Sequence, residues 1–196
     1  MEAFSDGVLA IIITIMVLEI QAPHGVELSA LRPLTPVFLS YGLSFTYLGI
    51  YWCNHHHMLY VTHSVNGAIL WANLHLLFWL SLVPFVTRWM GENHLAPAPT
   101  AAYGVILLLA AIAYLLLQRA ILRQEGRGST LAAAVGSDWK GKTSALIYAI
   151  AIPVAFLQPW MAGALYVVGA LMWLVPDRRI ERKVSQAGPE VSLTNR

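Results

Sequence analysis

The sequence predicts an all-α integral membrane protein of six crossings, and three observations carry that prediction. Of 196 residues, 58% are hydrophobic and only 11% charged, with a mean hydropathy of +0.62; a soluble domain is nearer half apolar and a quarter charged. The apolar residues fall in long runs rather than at scattered core positions, and about 20 such residues cross the hydrocarbon layer as a helix. Short polar or proline- and glycine-bearing connections separate the runs. The net charge of +2 is no signal for nucleic acid, because the basic residues sit in membrane-flanking loops. The one cysteine, Cys53, excludes an intramolecular disulfide and reads as a packed thiol within an apolar run. The first helix is expected to serve as its own insertion signal, with no cleaved leader.

Helix one is predicted from Phe4 to Gln21, followed by a polar connection holding Pro23, His24, Glu27 and Arg32. Helix two runs from about Thr35 to Thr62, long enough to tilt or to project beyond the lipid. A short turn at His63 and Ser64 leads to helix three, about Asn66 to Trp89. Helices two and three should therefore lie antiparallel as neighbours. Gly91 to Pro99 reads as a loop because two prolines and a glycine break the pattern. Helix four follows from about Thr100 to Leu122, then a basic loop from Arg123 to Lys142 with room for a short surface helix. Helices five and six, about Thr143 to Leu157 and Trp160 to Val175, are separated only by Gln158-Pro159, and their combined length fits two crossings. The expected organisation is a six-helix membrane unit over residues 1–176 and a charged, partly disordered tail over 177–196.

Lysines and arginines set the expected orientation. With an even number of crossings both termini share a side. That side carries Arg119, Arg123, Arg127, Lys140, Lys142, Arg178, Arg179, Arg182, Lys183 and Arg196, against Arg32 and Arg88 opposite. Both termini are therefore expected in the cytoplasm. Trp89, Tyr103, Trp139 and Trp160 suit the interfacial belt, and no repeat relates the two halves as in inverted-repeat transporters.

Helix one has two unequal faces. At about 100° per residue, Phe4, Gly7, Val8, Ile11, Thr14, Ile15 and Leu18 gather on one side, and Asp6, Ala10, Ile13 and Val17 on the other. The first side suits a narrow hydrophobic pathway; the second suits attachment to the helix's own subunit through Asp6, since a carboxylate at bilayer depth needs a partner. Apolar residues at this spacing are nevertheless more often packing than pore, and Thr14 can simply bond a backbone carbonyl one turn earlier. Glu19 projects about 80° from Ile11; it suits either a cation-concentrating pore mouth or an interfacial residue reaching water.

A second group of polar residues, Trp52, Asn54, His55, His56 and His57, lies late in helix two, and Asn73, His75 and Ser81 lie in helix three. The expected network joins Ser5 and Asp6 to Asn54, His55 or His56, and onward to Asn73 or His75. Consecutive histidines on a helix point about 100° apart, so His55, His56 and His57 cannot share one ion, and no structural metal is expected. A proton relay through the histidines and Asp6 is the sharper alternative to a purely structural network.

Phe4-Ser5-Asp6 followed by Gly7-Val8-Leu9-Ala10-Ile11 and closing on Leu18-Glu19 resembles the opening helix of the transmembrane protein 175 family of potassium-permeable channels. Trp52-x-Asn54-His55-His56 and Leu77-Phe78-Trp79-x-Ser81-Leu82-x-Pro84-Phe85 are similar to that family's second and third helices. The resemblance implies a homotetramer in which helix one of each subunit lines a central pore. It implies that Ile11 forms the constriction, that Ile15 and Leu18 form further apolar rings, and that Thr14 lies near the pore and influences selectivity. It assigns Phe4, Ser5 and Asp6 to a motif bracing helix one against Trp52, Asn54, His55, His56, Asn73 and His75. The family motif opens on an arginine four residues before the phenylalanine, a position ahead of Met1, so the partner of Asp6 is expected on helices two and three.

The expected function is passive passage of potassium across a prokaryotic inner membrane. Lipid and monovalent cations are the expected partners, and permeant K⁺ takes the place of a cofactor. The alternative is a proton-coupled secondary transporter using Asp6 and the helix-two histidines. No nucleophile–base–orienter set and no phosphate-binding loop points to an enzyme, and no Thr-Val-Gly-Tyr-Gly-like stretch offers a ring of carbonyls.

Overall fold

The computed structural model describes residues 1–60, 62–126 and 139–174. The tail, Val175 and the middle of the basic stretch between helices four and five lie outside the described residues. The order is α1 (Glu2–Leu18), a 3-10 segment (Leu28–Leu34), α2 (Thr35–Tyr60), α3 (Gly67–Ser81), α4 (Val83–Glu92), α5 (Pro97–Glu125), α6 (Trp139–Leu157) and α7 (Pro159–Leu174), with no strand among the described residues. Taking α3 and α4 as one broken rod, the described residues form six rods. By length and composition, Gly67–Glu92, Pro97–Glu125 and Trp139–Leu157 are each able to cross a membrane. α7 is apolar but only 16 residues long.

Helix three is broken where continuity was expected. Pro84 has no N–H to offer the turn before it, and Leu82 instead closes a tight bond to the Trp79 carbonyl at 3.2 Å. The helix restarts at Val83 with the proline in its first turn, where a missing donor costs nothing. Both halves pack on α1 and α5, and α4 packs on α2 as well. Helix two thus lies mainly against α4 rather than side by side with α3.

The loop before α5 is shorter than expected, Asn93–Ala96, because the helix on either side extends toward it. His94 and Leu95 take positive φ (52° and 58°). His94 N–H donates to Gly91 O at 3.2 Å and Leu95 N–H to Met90 O at 2.9 Å, satisfying the last carbonyls of α4. Leu95 is buried, completing that end with an apolar contact. At the opposite end of the bundle, Asn66 caps α3 through the Ile69 N–H at 3.0 Å. Glu125 accepts the backbone N–H groups of His63 and Ser64 at 2.8 and 3.1 Å, fixing the turn between α2 and α3 to the end of α5.

The middle of the bundle is a tyrosine core. Tyr47, Tyr103, Tyr148 and Tyr166 are fully buried, and a phenol in a dry interior needs a partner. Tyr47 donates to the Tyr166 carbonyl at 2.6 Å, and Tyr166 donates to the Thr100 carbonyl at 3.0 Å. Ser44 bonds the Tyr103 hydroxyl at 3.0 Å and Thr87 at 2.6 Å. These bonds fasten α2, α4, α5 and α7 into a rigid support.

Small residues permit the closest approach within it. A Cβ on Gly91 would lie 2.9 Å from the Cα of Val37, backbone that cannot rotate away. Gly91→Ala should therefore force α4 off α2 at a cost of about 1–3 kcal/mol, read as a lower thermal midpoint of the purified protein in detergent.

Candidate functional site

The site is α1 and whatever holds it. α1 packs against α2, α3 and α4. Its buried line is Ser5, Leu9, Ile12 and Met16, spaced at the i, i+4, i+7 rhythm of one helix face. The inward side differs from the expected one: Ala10 and Val17 are exposed, and the buried centre lies between Ser5 and Leu9. Being apolar nearly all round, α1 has two candidate stripes, and only the position of its neighbours selects one. The other stripe faces out from the subunit, with Ile11 59%, Ile15 44% and Leu18 76% exposed. It is centred roughly 120° around the helix from the buried line. Thr14 is also exposed, its hydroxyl donating to the Ala10 carbonyl at 2.8 Å.

One directed chain of hydrogen bonds secures the inward face. His55 Nε2–H donates to Asn73 Oδ1 at 2.7 Å, Asn73 Nδ2 donates to Ser5 Oγ at 3.0 Å, and Ser5 Oγ donates to the Met1 carbonyl at 3.2 Å. Ser5, His55 and Asn73 are all buried. The amide of Asn73 fixes every direction in this chain, since its oxygen only accepts and its nitrogen only donates. His55 Nδ1 is buried without a hydrogen-bond partner among the described residues, which is consistent with a neutral ring whose only proton is on Nε2.

Asp6 finds its partner on helix two: Trp52 Nε1–H donates to its carboxylate at 2.9 Å. Beside it, His56 Nδ1 lies 3.0 Å from Glu2. Glu2, Asp6 and His56 each bring one metal-capable atom within 4.8 Å of the others; Asp6 already accepts from Trp52, while the approach of His56 Nδ1 to Glu2 lacks hydrogen-bond geometry.

Three predicted members of the network point elsewhere. Asn54 folds back onto its own helix, donating to the Ile50 carbonyl at 2.8 Å. His75 is exposed and accepts from Trp79 Nε1 at 2.8 Å; two residues beyond Asn73, it projects to the opposite side of α3. Phe4 also faces out. Cys53 is exposed rather than packed, on the side of α2 opposite its buried face.

The far end of α1 has an anchor that sequence reasoning missed. Glu19, its C-terminal cap, is ion-paired with Arg88 of α4, whose Nε also donates to Glu92 at 2.8 Å. The signal was present: Arg88 and Glu92 are spaced i, i+4, and Arg88 is one of only two basic residues assigned to that side. What was missing was that α3 and α4 both lie along α1, which puts Arg88 beside its last turn.

Comparison with known proteins places this arrangement. Residues 1–84 match the family model of the endosomal/lysosomal potassium channel TMEM175. A potassium channel of Chryseobacterium sp. (strain P1-3) is 51% identical over 186 residues, covering 95% of this chain and 97% of that one. The chain belongs to the TMEM175 family. A potassium channel of Streptomyces collinus is 33% identical over 121 residues, 58% of this chain and 59% of its own. The crystal structure of a lysosomal potassium-selective TMEM175 homologue from Chamaesiphon minutus superposes with a TM-score of 0.77 at 29% identity, covering 91% of this chain and 95% of that one. As a member of this family, the chain is a multi-pass membrane protein, and its described secondary structure is helical.

If the Ser5–Asn73–His55 chain holds α1, Asn73→Leu should strand two buried polar partners at a cost of about 1–3 kcal/mol. The variant should melt at lower temperature, and Asn73→Leu combined with His55→Leu should recover part of the loss. Thermal unfolding of the two proteins side by side checks this, and equal losses would argue against the pairing.

Proposed function

We propose that the protein is a passive, potassium-permeable channel, a homotetramer in a prokaryotic inner membrane with both termini in the cytoplasm. Helix α1 of each subunit faces a shared axis, with Ile11 as the constriction, Ile15 and Leu18 as further apolar rings and Thr14 beside the path. The observation that carries this reading is the division of α1: one face is locked to its own subunit by buried hydrogen bonds, while the aliphatic stripe is left outward and unpartnered within the subunit. A ring of isoleucines can exclude water when narrow and so gate by dewetting. A cation passing it sheds part of its hydration shell, which potassium does more readily than sodium. The potassium-channel relatives support the choice of ion.

A proton-coupled carrier would need Asp6 and His55 free to exchange protons. Here Asp6 accepts from Trp52 and His55 is bound to Asn73, roles that brace a helix. The relatives are channels, and enzymatic activity forms no part of this reading.

Ile11→Asn should raise unitary conductance severalfold and bring the potassium-to-sodium permeability ratio toward one, measured from reversal potentials in planar bilayers. Unchanged conductance and selectivity would remove Ile11 from the constriction. Purified protein in potassium-loaded liposomes should release potassium only when a protonophore carries the compensating charge. Release of equal size without the protonophore would indicate coupled exchange instead.

A further inference from the structure

The braced end of α1 accounts for one terminus of the helix; the ion pair at its other end has no part in the proposed passage of ions. Glu19 follows directly on Leu18, the last apolar residue of the outward stripe, yet its carboxylate turns to Arg88 on α4. Arg88 is the only lysine or arginine between Gly67 and Glu92, and it is held from both sides, by Glu19 and by Glu92 at 2.8 Å. The three side chains are each between a third and a half exposed. They line a cavity of about 260 Å³ together with Met16, Val37 and Pro84.

We propose that Arg88 is a positioning residue for permeation: it draws Glu19 away from the pore axis and cancels its charge, so that the mouth at this end presents Leu18 in place of a ring of free carboxylates. The inference rests on α1 lining the pore. Arg88, Glu19 and Glu92 together carry a net charge of −1 per subunit. Losing the guanidinium makes this −2 and also releases the carboxylate nearest the stripe. Repeated around an axis, that change attracts cations to the mouth. Its reach is the Debye length, about 30 Å at 0.01 M salt and about 3 Å at 1 M, so the effect must grow as salt is lowered.

The discriminating feature is sign. Arg88→Gln should raise single-channel potassium conductance about twofold or more at about 0.01 M salt and leave it nearly unchanged at about 1 M. It should also introduce block by magnesium added on the side that Glu19 faces. Glu19→Gln, which keeps the Arg88–Glu92 pair, should lower the low-salt conductance. Arg88→Lys should resemble the unmodified channel, and Glu19→Gln with Arg88→Gln should return low-salt conductance close to it. A pair that served only to hold α1 in place would give changes of the same sign from either partner, at every salt concentration, and that result overturns the proposal. So does an assembled Arg88→Gln tetramer with unaltered low-salt conductance. If Arg88→Gln does not assemble, Glu19→Gln decides alone: a salt-dependent decrease supports the proposal, and no change overturns it. Recording Ile11→Asn in the same bilayers separates the two readings. An effect of Ile11→Asn without one of Arg88→Gln defeats only the role of Arg88, and no effect of either defeats the pore assignment.

Discussion

The hydrogen bond from Asn73 to Ser5 is the constraint on which the rest of this architecture turns. In hydrocarbon there is no hydrophobic drive between helices, and association falls to packing and to polar pairs. α1 is almost uniformly apolar and short, so little in its own surface says which way it should face. A serine hydroxyl one turn from its start supplies that information, because the hydroxyl has to meet an amide that itself has to meet an imidazole. Once those three are satisfied, Leu9, Ile12 and Met16 are carried into the subunit, and Ile11, Ile15 and Leu18 are carried out of it.

The remainder of the fold serves that placement. The tyrosine core ties α2, α4, α5 and α7 together behind α1. A single stretch of chain contributes to both ends of α1: α3 provides Asn73 for the beginning, and α4 provides Arg88 for the end. The two spacings match: 14 residues separate Ser5 from Glu19 on α1 and 15 separate Asn73 from Arg88 on α3 and α4, so each pair meets at its own level of the helix. The two anchors differ in kind: one is neutral and buried, the other charged and partly exposed.

Much of the site was legible in the residues. The Phe4-Ser5-Asp6 motif pointed to α1 as the candidate helix, the need to satisfy polar groups in lipid pointed to His55 and Asn73 among others, and the resemblance on helix two pointed to Trp52. Asn54 and His75 were not separable from their neighbours by that argument. A polar side chain in a helix can satisfy itself on its own backbone or on a residue one turn away, as Asn54 does with Ile50 and His75 with Trp79, and sequence does not reveal which solution is taken. Cys53 was misjudged for a related reason: in a helix hydrophobic on every side, an apolar run carries no sign of which residues face inward.

What the sequence determined by itself was the number and approximate span of the helices, because hydrocarbon thickness imposes a length and an apolar composition that short polar connections interrupt. It also determined the family, through residues in fixed order along helix one. Only the tertiary structure decided the rotation of α1 about its axis, the division of helix three into two segments and the partner of Glu19. Each of these depends on which surfaces come together, and for side chains that are nearly all apolar that choice belongs to a few polar contacts made between residues far apart in the chain.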